Sequence, residues 1–390
     1  MRISYIKIIS LLLVVIMCLG VFTSGVVAEE HTQTSEDGSL SLDCKSAVLM
    51  EAKTGRVLYT QNANEALPPA SVTKIMTLLL VMEAIDGGKL ALEDMVSASE
   101  TAASMGGSQI YLKVGETMTV EDLLKSVVIS SANDAAVALA EAVSGDIGSF
   151  VEQMNKKARE LGMSSTTFEN VTGLDDTAQN HLTSAMDIAL MSRALIAHPT
   201  IIKYSSIWMD SIRGGAFGLT NTNRLVRFYR GATGLKTGST SKAGFCVSVT
   251  AERDGLSLIC VIMGAETRDI RNAQATRLLD WGFANYAMYQ ADGKSVGDVR
   301  ITGGVKSLCP AAYDSFDCVL PKDAVSRVEQ RTELRESVSA PVKAGDVLGK
   351  VSYSLDGKPL GEVDITARAD VERIGFFGLW RRLLSKILLT

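Results

Sequence analysis

The chain has 390 residues, of which 46% are apolar, 21% charged and 6% aromatic. This length allows two or three domains, and the composition excludes a chain that low hydrophobicity and high charge keep disordered. The 39 basic and 44 acidic side chains leave a net charge of −5, which argues against a general nucleic-acid binder. Only 8–27 is a long apolar run, so a multi-span membrane protein is not predicted.

The N-terminal segment 1–28 has the pattern of a signal peptide. Arg2 and Lys7 form a basic start, an apolar centre follows, and Ala28 ends a run of small residues suited to cleavage. An uncleaved N-terminal anchor is the alternative. The segment predicts export to the outer face of the cytoplasmic membrane.

Residues 44–290 are predicted to form one domain in which strands at both ends of the segment enclose a helical middle. The first two strands join through a glycine turn, which includes Lys53, and a strong helix pattern begins at Ser71 and stops at Gly87. The strands are expected at 47–51, 56–59, 245–249 and 256–262, and the helices at 71–85, 120–128, 134–143, 146–161, 183–197 and 270–288. The sheet is therefore completed by segments that are remote in sequence.

Residues 293–370 predict a second, small all-β domain. Short alternating runs separated by Asp-Gly turns are typical of a β-sandwich or barrel. Cys309 and Cys318 flank a short loop there and are candidates for a disulfide. The cysteines show neither a disulfide framework nor the clustered spacing of a metal site, and no cofactor is predicted.

The last segment, 371–390, predicts an amphipathic helix. Its apolar side chains fall on one helical face, and its basic side chains, which include Arg381 and Arg382, fall on the other. Four basic residues against one acidic residue give this segment a charge opposite to that of the acidic body. Such a helix favours peripheral binding to a membrane surface. A terminal helix packed on its own domain is the alternative.

The chemistry of the chain points to a serine and a lysine. A histidine-based serine hydrolase would need His181 or His198, and neither lies near a G-x-S-x-G elbow, which is absent. Ser71 and Lys74 form a Ser-x-x-Lys pair at the start of the strongest helix, where i and i+3 side chains share a face. The helix N-terminus favours an oxyanion, and burial near other cations would lower the lysine pKa. A second pair, at Ser239 and Lys242, lacks this setting.

Two further motifs follow in order. Ser131 and Asn133 lie at a junction between helices, where they could instead cap the helix that starts at 134. Lys236-Thr237-Gly238 lies beside an apolar strand, where a lysine could hold a substrate carboxylate and Gly238 would permit close backbone approach. An earlier Lys-Thr-Gly at Lys53 is explained by its hairpin turn.

The order Ser-x-x-Lys, Ser-x-Asn, Lys-Thr-Gly resembles the signature of the penicillin-recognising serine enzymes. The stretches 69–77 and 234–238 look like the low-molecular-weight D-alanyl-D-alanine carboxypeptidases, and 221–224 with 229–234 look like the sporulation-associated branch of that family. The resemblance covers about 44–290. It implies the α/β (α+β) transpeptidase fold of penicillin-binding proteins and β-lactamases, with a helical subdomain.

The resemblance also implies roles for individual residues and partners. Ser71 would attack the carbonyl between two D-alanines of a peptidoglycan stem peptide, Lys74 would take its proton, and Ser131 would relay a proton to the leaving amine. Binding roles fall to the substrate-facing residues Asn133, Lys236, Thr237, Gly238, Ser239 and Arg271, with the N–H groups of Ser71 and Ser239 as the oxyanion hole. Arg271 could instead be a surface residue. β-Lactam antibiotics would acylate Ser71.

Two rival functions share this scaffold. A class A β-lactamase would need a glutamate in an E-x-x-L-N loop, and no such pentapeptide lies between Asn133 and Lys236. The second rival is a non-catalytic penicillin-binding protein, which would not need its motif residues. All of them are present in this sequence, which argues against that function. Ser239 and Thr172 stand where several relatives carry histidine, which leaves the substrate preference and the deacylation rate open.

Overall fold

The computed structural model describes residues 40–175 and 178–388. Its first part is built on a five-stranded antiparallel sheet in the order β2-β1-β9-β8-β7. The strands are β1 (Ser46–Glu51), β2 (Val57–Gln61), β7 (Ala232–Thr240), β8 (Gly244–Arg253) and β9 (Leu256–Ala265). The first and last strands of the domain pair directly, Ala47 lying opposite Ile262, so the prediction of a sheet closed by remote segments is confirmed. Residues 1–28, predicted as a signal peptide, lie outside the described residues.

Helices cover one face of this sheet as a subdomain. They are α1 (Lys74–Asp86), α2 (Glu100–Ala103), α3 (Val120–Ser130), α4 (Asn133–Ser144), α5 (Ile147–Glu160), α6 (Ala185–Ile196) and α7 (Pro199–Ser205). The short α8 (Leu225–Phe228) packs through Leu225 in the apolar cluster on the other face of the sheet. Two small two-stranded sheets accompany the helices, one of β3 (Met95–Ser97) with β4 (Thr117–Thr119) and one of β5 (Met209–Ile212) with β6 (Phe217–Thr220). Helix α1 is buried on nearly all sides, which fits its largely apolar sequence and makes it the centre of the subdomain.

The predicted helix at 71–85 differs in its first turn. Ala70–Thr73 is a 3₁₀ turn, and the α-helix begins only at Lys74. The opposite face of the sheet packs on α9 (Arg268–Asn285) through a second apolar cluster that includes Leu49 and Leu279. This helix is shorter than the predicted 270–288, because the chain from Tyr286 turns into a strand that pairs with a later one.

The C-terminal part is all β. A six-stranded sheet has the order β14-β16-β17-β12-β11-β15, and β10 pairs with β13 beside it. The bounds are β10 (Tyr286–Ala291), β11 (Ser295–Thr302), β12 (Leu308–Tyr313), β13 (Phe316–Pro321), β14 (Val328–Leu334), β15 (Ser337–Ser339), β16 (Val347–Leu355) and β17 (Lys358–Ala367). The two sheets enclose one apolar core, in which Phe316 stacks on Tyr353 with ring centroids 4.2 Å apart. The expected fold class, a mixed domain followed by a small all-β domain, is confirmed.

Cys309 and Cys318 are both free thiols, so the suggested disulfide is wrong. Their strands belong to different sheets: Cys309 lies opposite Val299, whereas Cys318 lies opposite Tyr289. The Cys309 thiol instead lies 3.3 Å from the carbonyl oxygen of Ala369.

The last helix of the described residues is α10 (Phe376–Leu388). Arg382 holds this helix to the all-β domain by donating hydrogen bonds to the carbonyl oxygens of Gly304 and Val305. Across the described ranges 40–175 and 178–388, no single helix has the length and apolar composition of a membrane span. Helices α6 and α7 reach that length and composition only when taken together, and the angle between them is 106°.

Candidate active site

Ser71 lies on the 3₁₀ turn that precedes α1. Ala70, immediately before it, has a left-handed backbone with φ of 48°, and the Val72 N–H donates to the carbonyl oxygen of Pro69. The turn therefore leaves Ser71 half-buried at the N-terminal end of the helix segment, where backbone N–H groups and the helix dipole favour a developing negative charge.

Lys74 is fully buried directly beside this serine. Its Nζ lies 2.9 Å from Ser71 Oγ and 2.9 Å from the carbonyl oxygen of Thr172. Burial, helped by the charge of Lys236, holds the pKa of Lys74 well below its ordinary value, against a smaller opposing effect of Asp134. A neutral amine at this position can accept the hydroxyl proton of Ser71 while donating to Thr172.

Lys236 lies on β7, the edge strand next to the Ser71 turn. Its Nζ donates to Ser131 Oγ and to the carbonyl oxygen of Thr237, each at 2.9 Å. Burial, followed by the charge of Arg271, lowers the pKa of Lys236 to about 7. The hydrogen-bond acceptors of this ammonium group are a hydroxyl and a backbone carbonyl rather than a carboxylate. An incoming carboxylate would therefore stabilise its positive charge.

Gly238 allows β7 to approach the nucleophile turn. A Cβ at this position would lie 2.8 Å from the backbone nitrogens of Ser71 and Val72. Any larger residue would push the strand away from the turn. Because Ser239 follows on the same strand, the close approach brings its backbone towards Ser71, as an oxyanion hole of these two N–H groups requires.

Ser131 and Asn133 come from the junction of α3 and α4. Ser131 ends α3 in a left-handed conformation with φ of 64°, which turns its hydroxyl towards Lys236. Asn133 Nδ2 donates to the carbonyl oxygen of Gly106, and its buried Oδ1 has no hydrogen-bond partner. The alternative that these residues cap α4 is wrong, because Ala132 is the N-cap and no side chain caps the helix.

Arg271 is also a buried residue rather than a surface arginine, with only 2% of its surface exposed. Its guanidinium contacts the carbonyl oxygen of Cys246 and the side chain of Asn272. Burial, followed by the charge of Arg268, lowers the pKa of Arg271 to about 10. It lines a cleft of about 590 Å³ together with Ser71, Ser108, Ser131, Trp208, Thr220, Asn221, Thr222, Arg224, Phe228, Thr237, Gly238, Ser239 and Arg268.

The second copies of the two motifs do not bring their lysines to this cleft: Ser239 lines it, but neither Lys53 nor Lys242 does. Lys53 belongs to the turn between β1 and β2, where Glu51 accepts the N–H groups of Lys53 and Thr54. The Lys242 ammonium group donates to the carbonyl oxygen of Asp175 at the exposed end of β7.

Three supporting groups were missed from the sequence. The buried Asp134 carboxylate accepts the N–H groups of Ile110 and Leu112 and so fixes the loop above Asn133. Thr222 accepts a hydrogen bond from the Thr237 hydroxyl, and the Thr172 carbonyl holds Lys74. A backbone carbonyl gives no signal in the sequence. Asp134, in contrast, directly follows the motif residue Asn133, and this position could have identified it as a supporting residue.

The comparisons with known proteins agree with this geometry. Residues 30–267 match the family described as D-alanyl-D-alanine carboxypeptidase, Peptidase S11. The chain belongs to the D-alanyl-D-alanine carboxypeptidase family. It is an enzyme of this family, and residues 283–373 match the domain described as the C-terminal domain of penicillin-binding protein 5.

Individual relatives extend over nearly the whole chain. The chain is 40% identical over 387 residues to the D-alanyl-D-alanine carboxypeptidase DacF of Bacillus subtilis, covering 97% of this chain and 98% of that protein. Penicillin-binding protein 5 from Haemophilus influenzae has a TM-score of 0.73 at 32% identity over 86% of this chain and 99% of its own. Penicillin-binding protein D2 from Listeria monocytogenes, solved with ampicillin bound, has a TM-score of 0.58 at 34% identity over 63% of this chain and 99% of its own.

The lowered pKa of each of the two buried lysines predicts the pH profile of this carboxypeptidase. We expect kcat/KM to depend on neutral Lys74 and protonated Lys236, so that activity falls on the alkaline side as Lys236, with its pKa of about 7, loses its proton. Lys236→Arg keeps a positive charge and should move this alkaline limb to higher pH, even though absolute activity drops. An alkaline limb that stays in place in Lys236→Arg would assign it to another group.

Proposed function

We propose that the enzyme removes the terminal D-alanine from peptidoglycan stem pentapeptides through an acyl-enzyme on Ser71. The observation that supports this most strongly is the 2.9 Å contact between Ser71 Oγ and the Nζ of Lys74, an amine whose burial favours the neutral form. A nucleophile within hydrogen-bond reach of an activated base is the arrangement that acyl transfer needs.

Acylation follows from the positions of these groups. Lys74 takes the hydroxyl proton as Ser71 Oγ bonds to the carbonyl carbon of the penultimate D-alanine. The resulting oxyanion is held by the backbone N–H groups of Ser71 and Ser239. The amide bond then breaks, and a proton passes through the Ser131 hydroxyl to the leaving nitrogen of D-alanine. Water repeats the sequence on the ester and regenerates Ser71.

The substrate carboxylate is recognised by positive charge around β7. Thr237 and Arg271 line the cleft, and the buried Lys236 precedes Thr237 on β7; we propose that these three side chains supply the donors that the carboxylate of the terminal D-alanine requires. The unpartnered Oδ1 of Asn133 can accept the N–H of a substrate amide and so orient the peptide along β7. This selects a peptide with a free C-terminus.

β-Lactams present the same amide and carboxylate, and we propose that they acylate Ser71. Among the residues that line the cleft in the described structure there is no aspartate or glutamate to activate a hydrolytic water. The cleft therefore lacks the carboxylate with which a class A β-lactamase hydrolyses its penicilloyl ester, and we expect this ester to outlast the peptidyl ester.

Removal of the nucleophile tests the proposal. We expect Ser71→Ala to lose D-alanine release from diacetyl-Lys-D-Ala-D-Ala by about 10⁴-fold or more, since no other group can carry the acyl intermediate. Covalent labelling by fluorescent penicillin should disappear with it. Ser337→Ala, at an exposed serine of β15 in the all-β domain, is the matched control. Labelling that persists in Ser71→Ala would place the nucleophile elsewhere.

We also propose that the enzyme is exported and lies on the outer face of the cytoplasmic membrane through its last helix. The signal-peptide pattern of 1–28 supports export. The apolar side chains of α10 are exposed rather than packed on the all-β domain: Phe376, Phe377, Leu379, Trp380, Leu383 and Leu384. Val305 and Leu308, beside the carbonyl groups that hold Arg382, extend the exposed apolar surface. Such a surface suits the interfacial region of a bilayer.

We also propose that the enzyme acts during sporulation. This proposal rests on the stretches 221–224 and 229–234, which resemble the sporulation-associated branch. Asn223 joins them, because its side chain donates a hydrogen bond to the carbonyl oxygen of Gly234. A spore-forming host that lacks the gene would be expected to retain more pentapeptide stems in its spore wall.

Truncation tests the membrane proposal. Deleting 375–390 keeps Val371, which is buried and pairs with Val342, but removes α10. We expect the truncated enzyme to stay in the supernatant when sedimented with phosphatidylglycerol-containing vesicles, while full-length mature enzyme sediments with them. Unchanged D-alanine release in solution is the control for folding. Sedimentation of the truncated enzyme with the vesicles would contradict the anchor.

A further inference from the structure

A buried histidine lies beneath the nucleophile turn, and the proposed mechanism does not use it. His181 is 5% exposed, and its Nε2 lies 2.7 Å from Oγ1 of Thr73, two residues after Ser71. On the other side of the ring, Nδ1 lies 2.9 Å from the backbone nitrogen of Glu169. The ring also packs edge-on against Phe168, with centroids 5.7 Å apart.

These contacts determine where the proton of the imidazole lies. The Glu169 N–H can only donate, so Nδ1 must be the unprotonated acceptor. Nε2 therefore carries the hydrogen and donates it to the Thr73 hydroxyl. Burial, opposed by the carboxylates of Glu169 and Asp175, lowers the pKa of His181 to about 4, so the ring is neutral at physiological pH.

The direction of this hydrogen bond also sets the direction of the second hydrogen bond made by Thr73 Oγ1. Because Thr73 Oγ1 accepts from His181, its own proton is free for the carbonyl oxygen of Ala70, 2.9 Å away. Ala70 is the residue with left-handed backbone that precedes Ser71, and such a conformation persists only where neighbours stabilise it. Gly173 packs on the same carbonyl so closely that a Cβ there would lie 1.8 Å from its oxygen.

His181 also ties down the segment that holds the base. Glu169, which donates to its ring, is three residues before Thr172, whose carbonyl accepts from Lys74. Thr77 reinforces this connection by donating to the carbonyl oxygen of Val171. One side chain thus links the turn that carries the nucleophile to the segment that positions its base.

We propose that His181 is a positioning residue that holds the Ser71 turn and the Lys74 acceptor segment in register through Thr73, and that it thereby supports acylation. It touches neither substrate nor the reacting atoms. The inference rests on the proposed role of Ser71 as the nucleophile.

A set of matched variants tests this role. His181→Phe keeps the ring packing but loses both hydrogen bonds, whereas His181→Gln keeps a donor and an acceptor; Thr73→Val and Thr73→Ser form the equivalent pair. We expect His181→Phe and Thr73→Val each to slow acylation by fluorescent penicillin and to lower kcat on the peptide by about tenfold, with KM little changed. His181→Gln and Thr73→Ser should restore most of the rate.

The double variant separates positioning from general destabilisation. Because both residues act through one chain of hydrogen bonds, His181→Phe combined with Thr73→Val should be no slower than the slower single variant. Multiplying losses, or wild-type acylation by folded His181→Phe or Thr73→Val, would overturn the inference. A wild-type enzyme that penicillin does not acylate would instead refute the proposed function.

Discussion

Two lysine side chains are buried where the edge strand β7 meets the helical subdomain. Each ammonium group of Lys74 and Lys236 loses hydration, and their like charges repel. This arrangement costs folding free energy at neutral pH, because both groups protonate freely in the unfolded chain. The same burial allows Lys74 to act as a base for Ser71, and it leaves the ammonium group of Lys236 to be stabilised by an anionic ligand.

The surrounding architecture keeps this unfavourable arrangement in place. The apolar helix α1 begins at Lys74 and directly follows the 3₁₀ turn that carries Ser71, so its burial anchors both groups in the core of the subdomain. The five-stranded sheet places Lys236 on its edge strand β7, next to the turn that carries Ser71. Because Gly238 has no side chain, β7 can pack closely against this turn. Well-packed apolar elements thus hold polar groups in a geometry that they would not adopt alone.

Sequence reasoning reached the motif residues because each had a distinguishing context. Ser71 opened an apolar helix whereas Ser239 did not, and the Lys-Thr-Gly at Lys236 bordered an apolar strand whereas that at Lys53 filled a hairpin turn. Helix and strand periods likewise predicted the long helices and four of the five strands of the main sheet to within a few residues, but not the edge strand β7.

The remaining features depend on tertiary packing that local patterns do not encode. The 3₁₀ turn before α1 arises because Ala70 is held left-handed by Thr73 and Gly173, the latter about a hundred positions away. Arg271 gave no sign of burial, since an arginine near a helix start is ordinarily exposed. His181 was dismissed as a base, and its contact with Thr73 becomes visible only once the two segments meet.

Direct titration of the buried lysines tests the central claim. The enzyme would be labelled with lysine carrying ¹³C at Cε, and the chemical shifts followed against pH by NMR, with Lys74→Arg and Lys236→Arg assigning the two signals. The account predicts two lysines that titrate far below the rest, Lys236 at a pKa of about 7 and Lys74 also well below its ordinary value. A Lys74 signal that titrates with the surface lysines near pH 10.4 would contradict it.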